Sequence, residues 1–575
     1  ILSSVRGAAS IFGGNNTNSG DVDADSIVVA AISSGAIYAD QGDDFVSVVA
    51  AATAASIYGS SGNDTISIGT TFSAGVLQGG TEADSIIIGG TVSGGASIYG
   101  GTTGSDSAND AADFVSIGGA VTSAQVMGNL GNDTILIAST LQAATLWGGS
   151  GNDSFAIAAG GLTAGAAVYG GTEADSLVIT GNVIGSSLIG DDGAGSSLDG
   201  ADSFVIAGSF TSSYFSGGSG NDLFSVNGTV EASAIYGGVG DDAFTLGTLT
   251  ATTSVFGGSG NDSFIVAGAI NTASLLGEDG SDSISIGGAV SRAYIGGGSG
   301  NDSISFGGAL NEATSVLGEA GSDLIVNAAG LLSKAYIDGG DGNDTMRFIG
   351  GLTSTTLYGG SGNDLFSIGG GLTNDLLFAG DGNDTISLSG LILTTTVDVG
   401  SGADSLVLVG DFANNWTLTG SLTSTSLLGD AGSDTLLIAA AMSSGFISEA
   451  AGNDSLYFSA VVTNTTIVSG GGEDTVSLSG AADNLILSAF SASRVFAGSG
   501  SDTLSFIGTA FGGSIDAGAD NDSLYFAAAV STVSVAGGSG ADSIWLSSSS
   551  TASSIDGGAD ADLIYLQSNS SIDSL

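Results

Sequence analysis

The sequence predicts an all-β fold, a single long parallel β-solenoid of the β-roll type, and three observations carry that prediction. A Gly-x-Asp turn recurs along the whole chain, mostly every 20 residues. Behind each turn, apolar residues alternate with Ser, Thr or Ala over a short stretch. Composition is also uniform throughout, with 100 Gly in 575 residues and no Pro, Cys or His. Self-similarity at a fixed short period is the signature of a stacked repeat architecture.

The Asp that closes each turn sets the register. It occurs at Asp25, Asp44, Asp64, Asp84, Asp113, Asp133, Asp153, Asp175, Asp202, Asp222, Asp242, Asp262 and Asp282. The series continues with Asp302, Asp323, Asp344, Asp364, Asp384, Asp404, Asp434, Asp454, Asp474, Asp502, Asp522, Asp542 and Asp562, making 26 units. Two positions after each Asp the residue is apolar, as at Ile66, Phe155, Phe264, Ile304 and Met346. Four positions after, it is apolar in every unit except the one holding Asn327. Alternation with a period of two, rich in Ile, Val and Phe, predicts a half-buried strand.

A second apolar anchor lies seven residues before the Asp, at Ile57, Leu146, Val255, Leu275, Ile295, Leu357 and Ile555, often followed by an aromatic residue. Each coil of roughly 20 residues is therefore expected to hold two strands, joined by a plain Gly-Gly or Gly-Ala turn at one edge and by the Asp turn at the other. Twenty residues cannot enclose a core, whereas about 26 stacked coils share a continuous one. The whole of 1–575 is expected to form this one solenoid.

The spacing breaks four times. Extra residues at 101–112 and 191–201 enlarge the loop before the Asp. Those at 411–420 and 481–489 fall nearer the opposite edge. Insertions in solenoids map to loops on one edge or face.

Charge narrows the function classes. The chain carries 58 acidic and 5 basic side chains, a formal net charge of −53, yet 42% of its residues are hydrophobic. Disorder pairs high charge with low hydrophobicity, so a packed core is expected. Nucleic acid needs a Lys/Arg footprint that this chain lacks, and it is not expected as a partner. Catalytic triads need His or Cys, and no enzymatic activity is expected. With no run of 18 apolar residues, no transmembrane helix is expected either.

Several units read Gly-Gly-x-Gly-Asn-Asp-x-apolar-x, at 148–156, 217–225, 257–265, 297–305 and 359–367. This motif resembles the RTX, or hemolysin-type, calcium-binding repeat family, and the match runs along nearly the whole chain. The resemblance implies calcium ions held between the turns of stacked coils, in a secreted protein. The physical chemistry points the same way. Calcium takes six to eight hard oxygen ligands from carboxylates and backbone carbonyls. Consecutive glycines let carbonyls turn toward one point, and the fixed Asp adds charge. The expected ligands are the turn Asp residues enumerated above, except Asp25 and Asp113, which sit in irregular loops. In Thr81-Glu82-Ala83-Asp84 and Thr172-Glu173-Ala174-Asp175 a Glu replaces the second Gly, which either adds a ligand or weakens the turn. Family rolls carry the motif twice per coil. Here it occurs once, so a single row of many ions along one edge is expected. One divalent ion in each of 25 gaps would bring −53 to about −3.

The function expected from these features is that of an extracellular calcium-binding structural protein, forming a surface layer, sheath or filament. Proteins of bacterial surface layers and cyanobacterial surface fibrils look similar in being almost entirely repeat. The chain starts and ends near the same phase of the coil, so head-to-tail self-association is expected. The alternatives are an adhesin, or the repeat region of a larger secreted protein, and calcium-dependent ice binding. The last is weakened by the irregular residues three before the Asp, such as Leu130, Val239 and Asp341.

Overall fold

A computed structural model describes residues 4–7, 9–13, 23–102, 110–191, 200–390, 392–400, 501–567 and 571–574. Between 401 and 500 it describes 405–409, 416–419, 422–423, 426–428, 435–438, 442–443, 446–448, 455–458, 462–463, 465–468, 475–478, 482–483, 485–491 and 494–497. Its contacts divide the chain into two compact units, 1–288 and 289–575. Both are parallel β-solenoids, about 22 coils together rather than the 26 expected from the turn Asp residues, and the described residues contain no helix.

In 1–288 the coil that follows Asp64 shows the plan. The strand Thr65–Ile68 comes first, then the two-residue strand Phe72–Ser73, then Val76–Thr81, which leads into the next Asp turn. Each pairs in parallel with its counterpart one coil away: Ile66 lies between Val46 and Ile86, Leu77 between Ile57 and Ile98, and Phe72 between Ala52 and Val92. Most offsets equal the repeat, so like residues stack on like residues. The middle strand corrects the expectation of two strands per coil. A strand of two residues has room for one inward side chain, such as Phe72, and cannot show a period. Two corners therefore replace the single plain turn, the second made by a residue with positive φ such as Ala54 (47°) or Ala74 (51°).

The inward residues of all three strands fill one core. Ile66, Ile68, Phe72 and Leu77 are at most 1% exposed, and burying each contributes roughly 1.5–3 kcal/mol. Further along, rings of successive coils stack directly, as with Phe244 and Phe264 at 4.7 Å between centroids and 5° between planes. That distance is the strand spacing itself. Outward aromatics beside the second anchor stack too, as in Tyr38–Tyr58 (5.1 Å) and Trp147–Tyr169 (5.4 Å). The insertions at 101–112 and 191–201 leave the register intact: Ile86 still pairs with Val115, and Leu177 with Phe204.

In 289–575 the same plan holds from the start to about residue 400. Asn327, the one polar residue at its inward position, is fully buried and satisfied. It donates from Nδ2 to the Gly308 carbonyl and accepts the Gly330 N–H, both at 2.8 Å. Arg347 points outward from Thr345–Phe348. Beyond 400 the strands exchange columns. Trp416–Thr419 pairs on one side with the pre-turn strand Thr396–Asp398 and on the other with the post-turn strand Thr435–Ile438. The post-turn strand Thr475–Leu478 is followed in the same stack by the pre-turn strand Arg494–Phe496. The reason is length. The turns at 404 and 434, and at 474 and 502, are 30 and 28 residues apart rather than 20, which adds about half a coil each time.

Candidate metal centre

The Asp turns place their side chains inside the coil edge. In the turn 148–153, Gly149 and Gly151 have φ of 121° and 117°, a region where side-chain-bearing residues are strained. The chain can thus reverse tightly, and Asp153 is left 2% exposed.

Each turn Asp uses its two oxygens differently. Oδ1 accepts the backbone N–H of the turn Asp one coil earlier: Asp64 from Asp44 (2.8 Å), Asp84 from Asp64 (2.7 Å), Asp153 from Asp133 (2.7 Å) and Asp242 from Asp222 (2.7 Å). In 289–575 the same bond links Asp323 to Asp302, Asp364 to Asp344, and Asp542 to Asp522. The other oxygen, Oδ2, is buried and accepts no hydrogen bond at Asp64, Asp84, Asp133, Asp153, Asp175, Asp242 and Asp262, nor at Asp323, Asp344, Asp364, Asp522 and Asp542. An unpaired buried acceptor is costly, and a charged one more so.

That oxygen faces the first glycine of its own turn. A Cβ added to Gly148 would collide with Asp153 Oδ2 and with the Gly170 carbonyl oxygen of the next coil. Gly128 stands in the same relation to Asp133 and Gly148, and Gly257 to Asp262 and Gly277. In 289–575, Gly339 is so placed against Asp344 and Gly359. A carboxylate oxygen and a carbonyl oxygen from adjacent coils thus converge on one point that only a glycine keeps clear.

Burial dominates the electrostatics. It pushes the Asp64 carboxyl up to about 7, and Asp84, Asp133 and Asp242 up to about 8, although the N–H bond from the previous coil pulls the other way. Neighbouring carboxylates add to the rise. Asp344 is pushed up to about 6 and Asp364 to about 7 for the same first cause.

A second ladder, absent from the sequence reading, runs outside the first. Asn132 Oδ1 accepts the Asn152 N–H (2.8 Å), and Asn152 Oδ1 accepts the Ala174 N–H (3.0 Å). Asn343, Asn363 and Asn383 repeat the pattern. Here the later coil donates to the earlier one, opposite to the Asp ladder, so the Asn-Asp pair ties each turn to both neighbours. The signal was the recurrent Asn itself, whose turn propensity masked its cross-coil role.

Of the expected ligands, Asp44, Asp64, Asp84, Asp133, Asp153, Asp175, Asp202, Asp222, Asp242, Asp262 and Asp282 are buried in 1–288. Asp302, Asp323, Asp344, Asp364, Asp384, Asp502, Asp522 and Asp542 are buried in 289–575, and Asp562 is half-buried. Asp404, Asp434, Asp454 and Asp474 lie outside the described residues. Asp113, set apart in the sequence for its irregular loop, stands in the ladder like the rest, bonded to Asp84 at 2.7 Å and to Asp133 at 2.8 Å. Asp25 donates its N–H to Asp44 at 2.6 Å but is itself only half-buried.

Among the described residues no three His, Cys, Asp or Glu side chains converge. The donor set is instead one carboxylate oxygen with backbone carbonyls, which is what a hard divalent cation such as calcium takes. An orphaned buried anion beside a carbonyl, in a space a methyl group would fill, fits such an ion.

No known family profile matches the chain, and no curated protein does. The resemblance to the calcium-binding repeat family therefore rests on the repeated motif alone. Among solved structures, the chain is similar to a hyperactive, Ca2+-dependent, β-helical antifreeze protein from an Antarctic bacterium. The two are 20% identical, the match covers 60% of this chain and 84% of that one, and the TM-score is 0.24. A likeness that loose carries no argument about function.

Proposed function

We propose that the chain is a calcium-binding structural protein of the cell exterior, folded by calcium and assembled into a surface layer, sheath or filament. The observation that carries the calcium reading is the file of buried turn carboxylates, in which Oδ2 of residues such as Asp64, Asp133, Asp153, Asp262 and Asp344 is unbonded and faces a point shared with a neighbouring coil's carbonyl. A divalent cation supplies positive charge between coils. The protein's own residues do the rest: Asp Oδ1 fixes the carboxylate on a neighbouring N–H, glycine keeps the space clear, and the surrounding core excludes water. Without a counter-charge, carboxylates about 5 Å apart repel by roughly 3 kcal/mol per neighbouring pair at an effective dielectric of 20. That exceeds one coil's share of ordinary stability, about 1–3 kcal/mol for 20 residues.

The structural part of the reading rests on the coil repeat, which runs through the described residues of both units. The second reading is an adhesin or the repeat region of a larger secreted protein. Circular dichroism at pH 7.5 with calcium and with chelator tests the metal: loss of the β signal in chelator is expected, and an unchanged spectrum refutes it. Electron microscopy of the calcium-loaded protein tests assembly, where filaments or sheets are expected and persistent monomers favour the second reading.

A further inference from the structure

Charge in 1–288 is segregated. Apart from Arg6 and Glu231, every charged side chain there falls in an Asp turn or in the loop leading to it. The strands that precede the turns carry none on their outer side. In these strands the residue after the second apolar anchor points outward, and these residues stack in register, one per coil over thirteen coils, from Phe12 through Tyr38, Tyr58 and Trp147 to Leu276. Only Gln78 and Ser216 interrupt this run of aromatic and aliphatic side chains. Successive rings stack, Phe12 on Tyr38 at 5.1 Å and Tyr236 on Phe256 at 4.9 Å, yet Phe12 remains 46% and Tyr236 39% exposed. Two hollows border the column. One of about 340 Å³ lies against Tyr38, Tyr58 and Gln78, and one of about 470 Å³ against Ser187, Tyr214, Tyr236 and Ser254. The corresponding column in 289–575 is an internal control. There Asp338, Asp398, Asp516 and Asp556 stand at the same position, in register with Leu317, Phe378 and Ala536. The backbone accepts carboxylates at this place, so the fold does not impose their absence from 1–288.

We propose that this aromatic face of 1–288 is a lateral interface, covered by the same face of a second copy of the chain. The proposal rests on the reading of the chain as a self-assembling structural protein and names the surface by which copies meet. A continuous exposed apolar patch marks an interaction site. Three arguments select a second copy as its occupant. The first is charge: a chain of formal net charge −53 repels its own copies, and an uncharged face is where two of them approach at least cost. The second is pitch. Each side presents a side chain at every strand spacing, about 4.8 Å, so two copies match along the whole column, with the ridge of one beside the hollows of the other. The third is area. Thirteen coils at that spacing give a strip about 60 Å long, and three strand residues make it about 10 Å wide. Two such strips bury roughly 1,200 Å², the lower bound for a stable specific interface. One patch serving both partners makes the contact isologous, which closes as a pair.

The test is sedimentation velocity of the full chain in calcium at pH 7.5 over a concentration series, with circular dichroism to confirm folding. Wild type is compared with Y58D/Y169D/Y236D and with Y58S/Y169S/Y236S, which copy the Asp of the other unit's column and the Ser found at 216. A third variant, I87D/V178D/I265D, puts the same charge on the outer side of the strands that follow the turns, at residues 41%, 43% and 51% exposed. Wild type should pair, both Tyr variants should pair at least about tenfold more weakly, and the third variant should pair like wild type. If the Asp variant fails to fold, the Ser variant decides. Tyr variants that associate like wild type, or a third variant that associates as weakly as the first, overturn the proposal and leave the assembly reading standing. A wild type that stays monomeric to its highest soluble concentration overturns both.

Discussion

Replacing Asp153 with Asn separates a metal ladder from a purely structural one, because the two readings predict opposite signs. The amide is isosteric. Its oxygen can still accept the Asp133 N–H now held at 2.7 Å, and its NH2 takes the place of the unbonded Oδ2. That NH2 lies beside the Gly170 carbonyl oxygen, across the space kept by Gly148. In chelator at pH 7.5, Asp153 is a buried acid pushed up to about 7. Removing its charge and giving the carbonyl a donor should stabilise the metal-free chain by about 0.5–1.5 kcal/mol. In calcium the same change removes the anionic ligand. If free calcium is about 100 times the dissociation constant, one lost ion costs about 2.7 kcal/mol. Set against the metal-free gain, the net loss in calcium is about 1–2 kcal/mol, so the sign changes and the two conditions differ by about 2.7 kcal/mol, the lost binding term. Urea unfolding followed by circular dichroism, with and without calcium, measures both arms, and calorimetry counts the ions. Equal shifts in the two conditions, or an unchanged ion count, would refute the metal assignment of Asp153.

Three further perturbations test other links. The metal-free chain should be most stable in acid: burial and neighbouring charge raise Asp64 to about 7 and Asp84, Asp133 and Asp242 to about 8. The folded state therefore holds protons the unfolded chain releases near 3.8, so their stabilisation is complete below about pH 4 and is lost as pH rises through 6–8. Urea midpoints in chelator at pH 4.5, 6 and 8 check this, and a rise with pH contradicts it. Gly257→Ala, at a position without positive φ, places a methyl against Asp262 Oδ2 and 2.6 Å from the Gly277 carbonyl oxygen. It should cost about 1–3 kcal/mol and one ion, whereas Gly369→Ala, with 3.6 Å to its nearest neighbour, should leave the ion count alone. Phe264→Ala removes a fully buried ring stacked on Phe244. It should cost about 3–5 kcal/mol to a similar extent with and without calcium, because it opens a cavity in the apolar core and removes no oxygen ligand.

The division of labour between sequence and tertiary structure follows the range of each interaction. The sequence by itself determined the period, the two main strands and the turn Asp, because each is encoded within a few residues: Thr65 to Ile68 alternate, and Gly148 to Asp153 spell a turn. It could not give the short strand at Phe72–Ser73, where one inward side chain leaves no pattern and only the stack between Ala52 and Val92 makes a strand of it. It separated the insertions at 101–112 and 191–201 from those at 411–420 and 481–489. Only pairing revealed that the first pair leave the columns in place while the second shift the strands by half a coil. Asp113 looked irregular in a chain numbered one residue at a time, yet the stack restores it to the ladder between Asp84 and Asp133. The turn Asp was legible as a carboxylate in a tight turn. That one oxygen is bound to the neighbouring coil and the other left unbonded beside a carbonyl about 20 residues away was decided only by stacking, since both partners belong to coils the local sequence does not contain.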